Sequence, residues 1–284
     1  MGITSSHNRE EAVFFQTIFQ RIFVCLLLMG SSVSLAQSEQ YTFAIVPQQA
    51  ASVLVKNWGP LLQYLSTQSN HEFKFRTGKN IPVFEQGLEK GEYDFAYMNP
   101  YHYIIFHQKS GYQAFAKAKN KKIRGIIVVK NDSPYQNLAD LNRQKLAFPS
   151  PLAFAASMLT RSALVSNNVE FSSQYVSSHD SVYRNVAAGH FAAGGGVVRT
   201  FKAAPSELRA NLRILYTTQA YTPHAFAVHP RVPEQIIKQV QTILLGLDSN
   251  EQGELLLQRL GIQGIEKAED KQWNDIRQLK LNVN

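Results

Sequence analysis

Two prolines that each follow a strand-like run mark the places where this sequence could bind an anion. Asn99-Pro100 follows the apolar residues 95–98, and Ser150-Pro151 follows residues 145–148. Asn and Ser are common helix caps and proline favours the first helical position, so each site predicts a strand, a sharp turn and a helix. The start of a helix presents unpaired N–H groups and a partial positive charge. Two such starts facing one crevice would bind an anion.

Residue patterns typical of catalysis or metal binding are absent from the sequence. His102 and His107 lie five residues apart, as do His224 and His229, whereas two ligands on one helix face need a spacing of about four. There is no Gly-x-Ser-x-Gly turn, and the one cysteine, Cys25, lies in an N-terminal apolar run. We therefore expect a binding protein that is not an enzyme and that uses neither a metal nor a cofactor.

The first 36 residues have the organisation of a secretory signal peptide. Arg21 precedes the apolar run 22–28, small polar residues follow, and Ser34-Leu35-Ala36 fits a signal-peptidase site. The apolar run is shorter than the roughly 20 residues that a membrane span needs. We expect cleavage after Ala36 and a periplasmic location, with a retained anchor as the alternative. A mature chain without cysteine suits the periplasm better than a disulfide-rich extracellular setting.

The charge balance favours an anionic partner. The chain carries 29 Lys and Arg against 21 Asp and Glu, a net charge of +8. Its densest basic run, residues 117–122, is too short for a nucleic-acid-binding arm and predicts a solvated loop. A general positive field would help to attract an anionic ligand or the anionic surface of a membrane.

Strand-like and helix-like segments alternate from the strand at residues 41–46 to the amphipathic helix that begins at Pro233. This alternation predicts an α/β fold built from parallel strands. We divide the chain into a signal peptide (1–36), a first lobe (37–129 plus 218–284) and a second lobe (130–217). A cleft between lobes is a preferred place for a ligand. The run Gly194-Gly195-Gly196 predicts a flexible turn beside that cleft.

Several stretches of the chain match a known family in both order and spacing. They are Pro47-Gln48-Gln49 with the Trp58-Gly59-Pro60-Leu61 segment, Gly91-Glu92-Tyr93-Asp94 continuing to Tyr103, Leu138-Ala139-Asp140-Leu141, and Ser178-His179-Asp180 continuing to Gly189. Together they resemble the PhnD-like phosphate/phosphite/phosphonate-binding proteins of ABC transporters, over residues 41–260. The resemblance implies a two-lobed type II periplasmic binding protein (Venus flytrap) fold. Each lobe would have a mixed central sheet, and hinge crossings would let the lobes close on an oxyanion.

The resemblance also implies, by position, which residues contact the ligand. They are Gln48, Tyr97, Asn99, Tyr101, Ser150 and His179. The family's hydroxyl-rich helix start is replaced here by residues 150–157, in which most hydroxyls are missing. Aminophosphonate binders of the family use an acidic residue for the amine, but residues 194–199 contain none, so we expect Arg199 to bind an oxyanion through its guanidinium.

Each of these residues also has a purely structural interpretation. His179 could cap the helix that follows it, and Arg199 could be a surface residue. The tyrosines could be core aromatics, and Asn99 and Ser150 could be helix caps only. The sequence favours a monomeric solute-binding protein that delivers phosphate, phosphite or a phosphonate to a membrane permease, with no nucleic-acid partner. The alternatives are a periplasmic sensory subunit read by a membrane-bound kinase or cyclase, and a hydrolase on the same scaffold.

Overall fold

The computed structural model describes residues 39–279, and the predicted signal peptide lies outside that range. The strands of the described part are β1 Gln40–Ile45, β2 Glu72–Arg76, β3 Phe95–Met98, β4 Gln113–Ala118, β5 Gly125–Lys130, β6 Gln144–Phe148, β7 Phe171–Tyr175, β8 Ala193–Val197, β9 Leu212–Thr217, β10 Ala225–Val228 and β11 Ile265–Lys267. The α-helices are α1 Ala51–Ser69, α2 Ile81–Glu89, α3 Pro100–Ser110, α4 Thr160–Ser166, α5 His179–Ala187, α6 Val198–Lys202, α7 Ser206–Ala210, α8 Glu234–Leu245, α9 Glu251–Leu260 and α10 Asn274–Arg277. A π-helical segment, Phe154–Leu159, leads into α4, and short 3-10 turns lie at Leu138–Leu141, Leu247–Ser249 and Asp270–Trp273. Within residues 39–279, none of the helices is both long and apolar enough to span a membrane.

Two mixed sheets form the centres of two lobes. The sheet of the first lobe has the strand order β11-β4-β10-β3-β1-β2, and that of the second lobe has the order β7-β6-β8-β5-β9. In the first sheet β1 pairs in parallel with β2 and β3, while β10 runs antiparallel to β3 and β4. In the second, β6 pairs in parallel with β7 and β8, while β5 runs antiparallel to β8 and β9. The predicted α/β fold with a mixed sheet in each lobe is confirmed.

The chain crosses between the lobes twice, and the two crossings are hydrogen-bonded to each other. One joins β4 to β5 and the other joins β9 to β10. Ile123 N–H donates to the carbonyl of Tyr221 at 2.8 Å, and Tyr221 N–H donates back at 3.0 Å. The predicted first boundary, between residues 129 and 130, needs correction because it would cut β5. The pairing of residues 125–130 with β8 and β9 assigns that strand to the second lobe.

The three consecutive glycines lie inside β8, so the prediction of a flexible turn there is wrong. This strand is buried between β5 and β6, and other groups approach it closely. A Cβ on Gly195 would lie 1.9 Å from the carbonyl oxygen of Ala156, and one on Gly196 would lie 2.3 Å from the hydroxyl of Tyr183. Glycine is required here because the π-helical segment and α5 pack directly onto the strand backbone.

The first lobe supports its cleft edge with an aromatic cluster. Helix α1 buries Leu54, Trp58, Leu61 and Leu65, whose spacing places them on one helical face. Trp58 packs against Tyr97 of β3 with ring centroids 4.6 Å apart. This packing holds the end of β3, where a predicted ligand residue lies, on a rigid support.

Candidate functional site

The carboxyl ends of parallel strands from both sheets meet across the cleft. Gln48 and Asn99 follow β1 and β3 of the first lobe, whereas Ser150 and His179 follow β6 and β7 of the second. The lobes touch there, since His179 N–H donates to the carbonyl of Gln48 at 3.0 Å and the Asn99 amide donates to the carbonyl of Leu152 at 3.2 Å. Crevices at the carboxyl ends of parallel strands are the usual ligand sites of open α/β sheets.

The two proline turns differ in structure. Asn99 caps α3 as predicted, because its side-chain oxygen accepts a hydrogen bond from His102 N–H at 2.8 Å and Pro100 is the first helical residue. Ser150 does not cap a helix, so that prediction is wrong. Residues 151–152 form a turn, and the next helix begins only at Phe154, after an Ala153 cap position.

Gln48 connects the two lobes through its side chain. Its oxygen accepts a hydrogen bond from Nη2 of Arg199 at 2.8 Å, and its amide nitrogen lies 3.0 Å from Nε2 of His224. His224 in turn stacks on Tyr97, with ring centroids 4.9 Å apart and planes at 15°. Burial, together with the nearby charge of Arg199, lowers the pKa of His224 well below its usual value, so this ring is neutral. These contacts bring four polar or aromatic side chains to one point of the cleft.

The predicted tyrosines have different environments. Tyr97 is buried within this group, and burial raises the pKa of its hydroxyl. Tyr101 is half-buried on the first turn of α3 and packs against the apolar core of the first lobe. Within the described residues, no hydrogen bond joins Tyr101 to the other predicted ligand residues, and its contact with the ligand stays a prediction.

His179 lies at the start of α5 and is almost completely buried. Burial, with the charge of Arg199 adding to it, lowers the pKa of His179 to about 3, so the ring is neutral at physiological pH. Its Nδ1 lies 2.9 Å from the hydroxyl of Thr200, which lies 2.9 Å from the hydroxyl of Tyr183. The cap of α5 is Ser178, whose side chain accepts from the backbone of the first turn. The interpretation of His179 as a helix cap is therefore excluded.

Three buried polar atoms beside the cleft have no hydrogen-bond partner within residues 39–279. They are the hydroxyls of Ser150 and Ser157 and Nε2 of His179, on side chains that are 1 %, 0 % and 1 % exposed. A buried polar group without a partner costs about 1–3 kcal/mol, so each of the three calls for an explanation. The set contains two hydroxyls and one imidazole nitrogen and no carboxylate, as a site for an oxyanion requires.

Comparison with known proteins places the chain in a family. A family model described as the periplasmic substrate-binding protein of phosphonate ABC transporters matches residues 43–273. The chain belongs to this family. Its members are periplasmic proteins that bind a small ligand for a membrane permease, so the predicted class of protein is confirmed at that level.

Solved structures share the fold at low sequence identity. A binding protein component of an ABC phosphonate transporter from Pseudomonas aeruginosa superposes with a TM-score of 0.79 at 14% identity, covering 85% of each chain. PhnD1 from Prochlorococcus marinus, solved in complex with methylphosphonate, gives 0.77 at 19% identity, over 84% of this chain and 96% of that one. A Xanthomonas citri protein bound to ATP gives 0.67 at 14% identity over 84% and 96%. At these identities the likeness establishes the two-lobed fold.

Three residues of the site escaped the sequence analysis: Ser157, Thr200 and His224. His224 directly precedes the apolar strand β10, whose first residue, Ala225, pairs with Met98 at the end of β3. A histidine before a buried strand was the available signal. For Thr200 there was no signal, because its role depends on contacts with α5 that the local sequence does not encode.

Proposed function

We propose that this protein captures a phosphonate-type oxyanion between its lobes and delivers it, unchanged, to the permease of an ABC transporter. The protein would act in the periplasm as a monomer. The observation that carries this proposal is the set of three unpartnered polar atoms on Ser150, Ser157 and His179, which lie in the segments that follow β6 and β7. Family membership supports the ligand class and the transport role.

The neutral state of His179 suits an oxyanion if Nε2 carries the proton. Val197 N–H donates to the hydroxyl of Tyr183 at 3.1 Å. That hydroxyl lies 2.9 Å from the hydroxyl of Thr200, which in turn lies 2.9 Å from Nδ1 of His179. The Thr200 hydroxyl also lies 3.1 Å from the carbonyl of Val197. When this hydroxyl donates to Nδ1 rather than to that carbonyl, Nε2–H is left as a donor. The position of the proton is an assignment from the network. Such a chain orients the imidazole and polarises its free N–H.

Direct contacts between the lobes support a closure mechanism. The Gln48 side chain and carbonyl bridge to Arg199 and His179, and Ala50 N–H donates to the carboxylate of Asp180 at 3.1 Å. A ligand held by residues on both sides of the cleft would favour the arrangement in which these contacts form. Ligand binding would thereby shift the population towards the form that the permease recognises.

The test is a thermal-shift and calorimetry panel with the purified protein. Methylphosphonate, phosphite, phosphate, 2-aminoethylphosphonate and sulfate are compared. A ligand at about 100 times its Kd stabilises the folded state by about 2.7 kcal/mol, which corresponds to a rise in Tm of roughly 5–10 °C for a chain of this size. We expect that rise with at least one phosphorus oxyanion and a smaller one with sulfate. No response to any phosphorus oxyanion would refute the proposal, and phosphorus NMR showing a converted ligand would refute binding without turnover.

A further inference from the structure

A pocket of about 440 Å³ opens beside the candidate site. It lies between the lobes and against both crossings, and Tyr97, Arg199 and His224 line both the pocket and the candidate site. A water molecule takes up about 30 Å³ in the liquid, so this volume is far larger than a methyl group needs. The pocket therefore has room for an organic substituent on an oxyanion held in the cleft.

The lining of this pocket is strongly cationic. Its charged residues are Lys121, Lys122, Arg124, Arg199, Lys202 and Arg259, and no Asp or Glu of the described residues lines it. Arg199 and Arg124 donate to neutral oxygens, those of the Gln48 side chain and the Thr218 carbonyl. Within residues 39–279, none of the six cations forms an ion pair with a carboxylate. Elsewhere on the surface paired lysines are common, as in the contacts of Lys109 with Glu89 and Lys238 with Glu234.

These charges come from separate parts of the chain. The first crossing contributes Lys121, Lys122 and Arg124, the second lobe contributes Arg199 and Lys202, and the first lobe contributes Arg259. Like charges that are brought together by contact between the lobes repel one another. An anion in the pocket would remove that repulsion and replace it with attraction.

We infer that the ligand carries a second anionic group, joined by a short organic linker to the oxyanion that Ser150, Ser157 and His179 bind. The chemical class is a phosphonate with a carboxylate or a second phosphoryl group. This inference rests on the proposed function, since it assumes that the first oxyanion lies in the cleft. The pocket disfavours an aminoalkyl substituent, whose ammonium group would meet only positive charges.

The first experiment compares two ligands of nearly the same shape by calorimetry at low salt. Phosphonoacetate has a carboxylate where phosphonoacetamide has a neutral amide, and 2-aminoethylphosphonate supplies a cationic substituent. We expect phosphonoacetate to bind at least about tenfold more tightly than the amide, because two or more cations act on the carboxylate. Aminoethylphosphonate should bind least tightly. Added salt should reduce the difference, since it screens partly exposed charges.

The second experiment removes two pocket charges with Lys122→Gln/Lys202→Gln. Two unit charges about 7 Å apart in water attract enough to change an equilibrium constant about threefold. The double variant should therefore reduce the preference for phosphonoacetate over the amide about five- to tenfold. The control is Lys74→Gln/Lys238→Gln, which removes the same net charge from paired surface lysines outside the pocket. It should leave that preference unchanged.

The outcomes distinguish this inference from the proposed function. If the amide and the acid bind equally, the inference is wrong while capture of a phosphonate stands. An equal loss of preference in both double variants would also overturn it, because the effect would then come from the general positive field. If no phosphonate binds in either experiment, the proposed function and this inference fail together.

Discussion

Replacing Ser157 with alanine should separate a ligand-binding hydroxyl from a structural one. The Ser157 side chain is fully buried, and its hydroxyl has no partner in the described part of the chain. A hydroxyl that only supported the fold would have a partner, and its loss would destabilise the protein. A hydroxyl kept for a ligand should instead cost stability until the ligand arrives.

The expected magnitudes follow from that difference. Loss of a hydrogen bond to a charged ligand costs about 1.5–3 kcal/mol, which corresponds to about 10- to 150-fold weaker binding. Without ligand, removing the unpartnered hydroxyl should leave the free energy of unfolding unchanged or raise it by up to about 2 kcal/mol, the range of the penalty for burying such a group. Ser157→Ala should therefore weaken ligand binding without lowering the free energy of unfolding, whereas a packing defect would lower the free energy of unfolding.

The matched control is Thr160→Val on the same helical stretch. The Thr160 hydroxyl is equally buried but donates to the carbonyl of Ala156 at 2.6 Å. Its removal at constant shape should lower the free energy of unfolding by about 1 kcal/mol and leave affinity unchanged. Urea unfolding without ligand and calorimetry with methylphosphonate measure both effects. Lower stability with normal affinity in Ser157→Ala would refute the assignment of this hydroxyl to the ligand.

Three further predictions concern protonation, packing and charge. Burial and the charge of Arg199 lower the pKa of His179 to about 3 in the folded protein, whereas the unfolded chain takes up this proton near pH 6.5. The contribution of the neutral ring to the free energy of unfolding is therefore complete above about pH 6.5 and is lost towards pH 3. Below about pH 6.5 the loss is about 1.4 kcal/mol per pH unit. His179→Gln should remove that slope from the free energy of unfolding measured in urea between about pH 6.5 and pH 5, and an unchanged slope would contradict this. Gly195→Ala would place a Cβ 1.9 Å from the Ala156 carbonyl oxygen and should lower the free energy of unfolding by about 1–3 kcal/mol. In the control, Gly59→Ala in α1, the new Cβ meets nothing within 4 Å and should raise the free energy of unfolding by about 0.5–1 kcal/mol. Similar Tm values for both variants would be inconsistent with this packing. Arg199→Lys keeps the positive charge but loses the planar guanidinium that can donate two parallel hydrogen bonds. It should weaken phosphonate binding about tenfold, an effect of roughly 1.4 kcal/mol. Equal affinity of the variant and the wild type in calorimetry would show that Arg199 does not contact the ligand.

Local signals in the sequence were sufficient where the structure depends on local geometry. Asn99-Pro100 predicted both the turn and the start of α3, because a cap and a first-turn proline act within a few residues. The alternation of strands and helices predicted the fold class for the same reason. The resemblance to phosphonate-binding proteins added the family, which the match over residues 43–273 establishes.

The predictions failed where distant parts of the chain decide the structure. The same cap-and-proline pattern at Ser150-Pro151 does not begin a helix, and the helical segment starts three residues later at Phe154. Gly194-Gly195-Gly196 suggested a turn, but strand β8 needs glycine because the carbonyl of Ala156 and the ring of Tyr183 pack against it. The first lobe boundary was misplaced since only strand pairing shows which sheet contains β5.

The departure of residues 151–154 from the family pattern has a local compensation in the structure. The helix begins with a wide turn, in which N–H groups of both Ser157 and Met158 donate to the carbonyl of Ala153, at 2.7 and 3.3 Å. Such π-type turns shift the register of the following side chains and are frequent at functional sites. Here the turn carries Ser157, a buried hydroxyl without a partner, while Ser150 lies just before it. Under the proposed function, Ser150 and Ser157 would supply, on either side of Pro151, the hydroxyls that a continuous hydroxyl-rich run supplies in the family pattern.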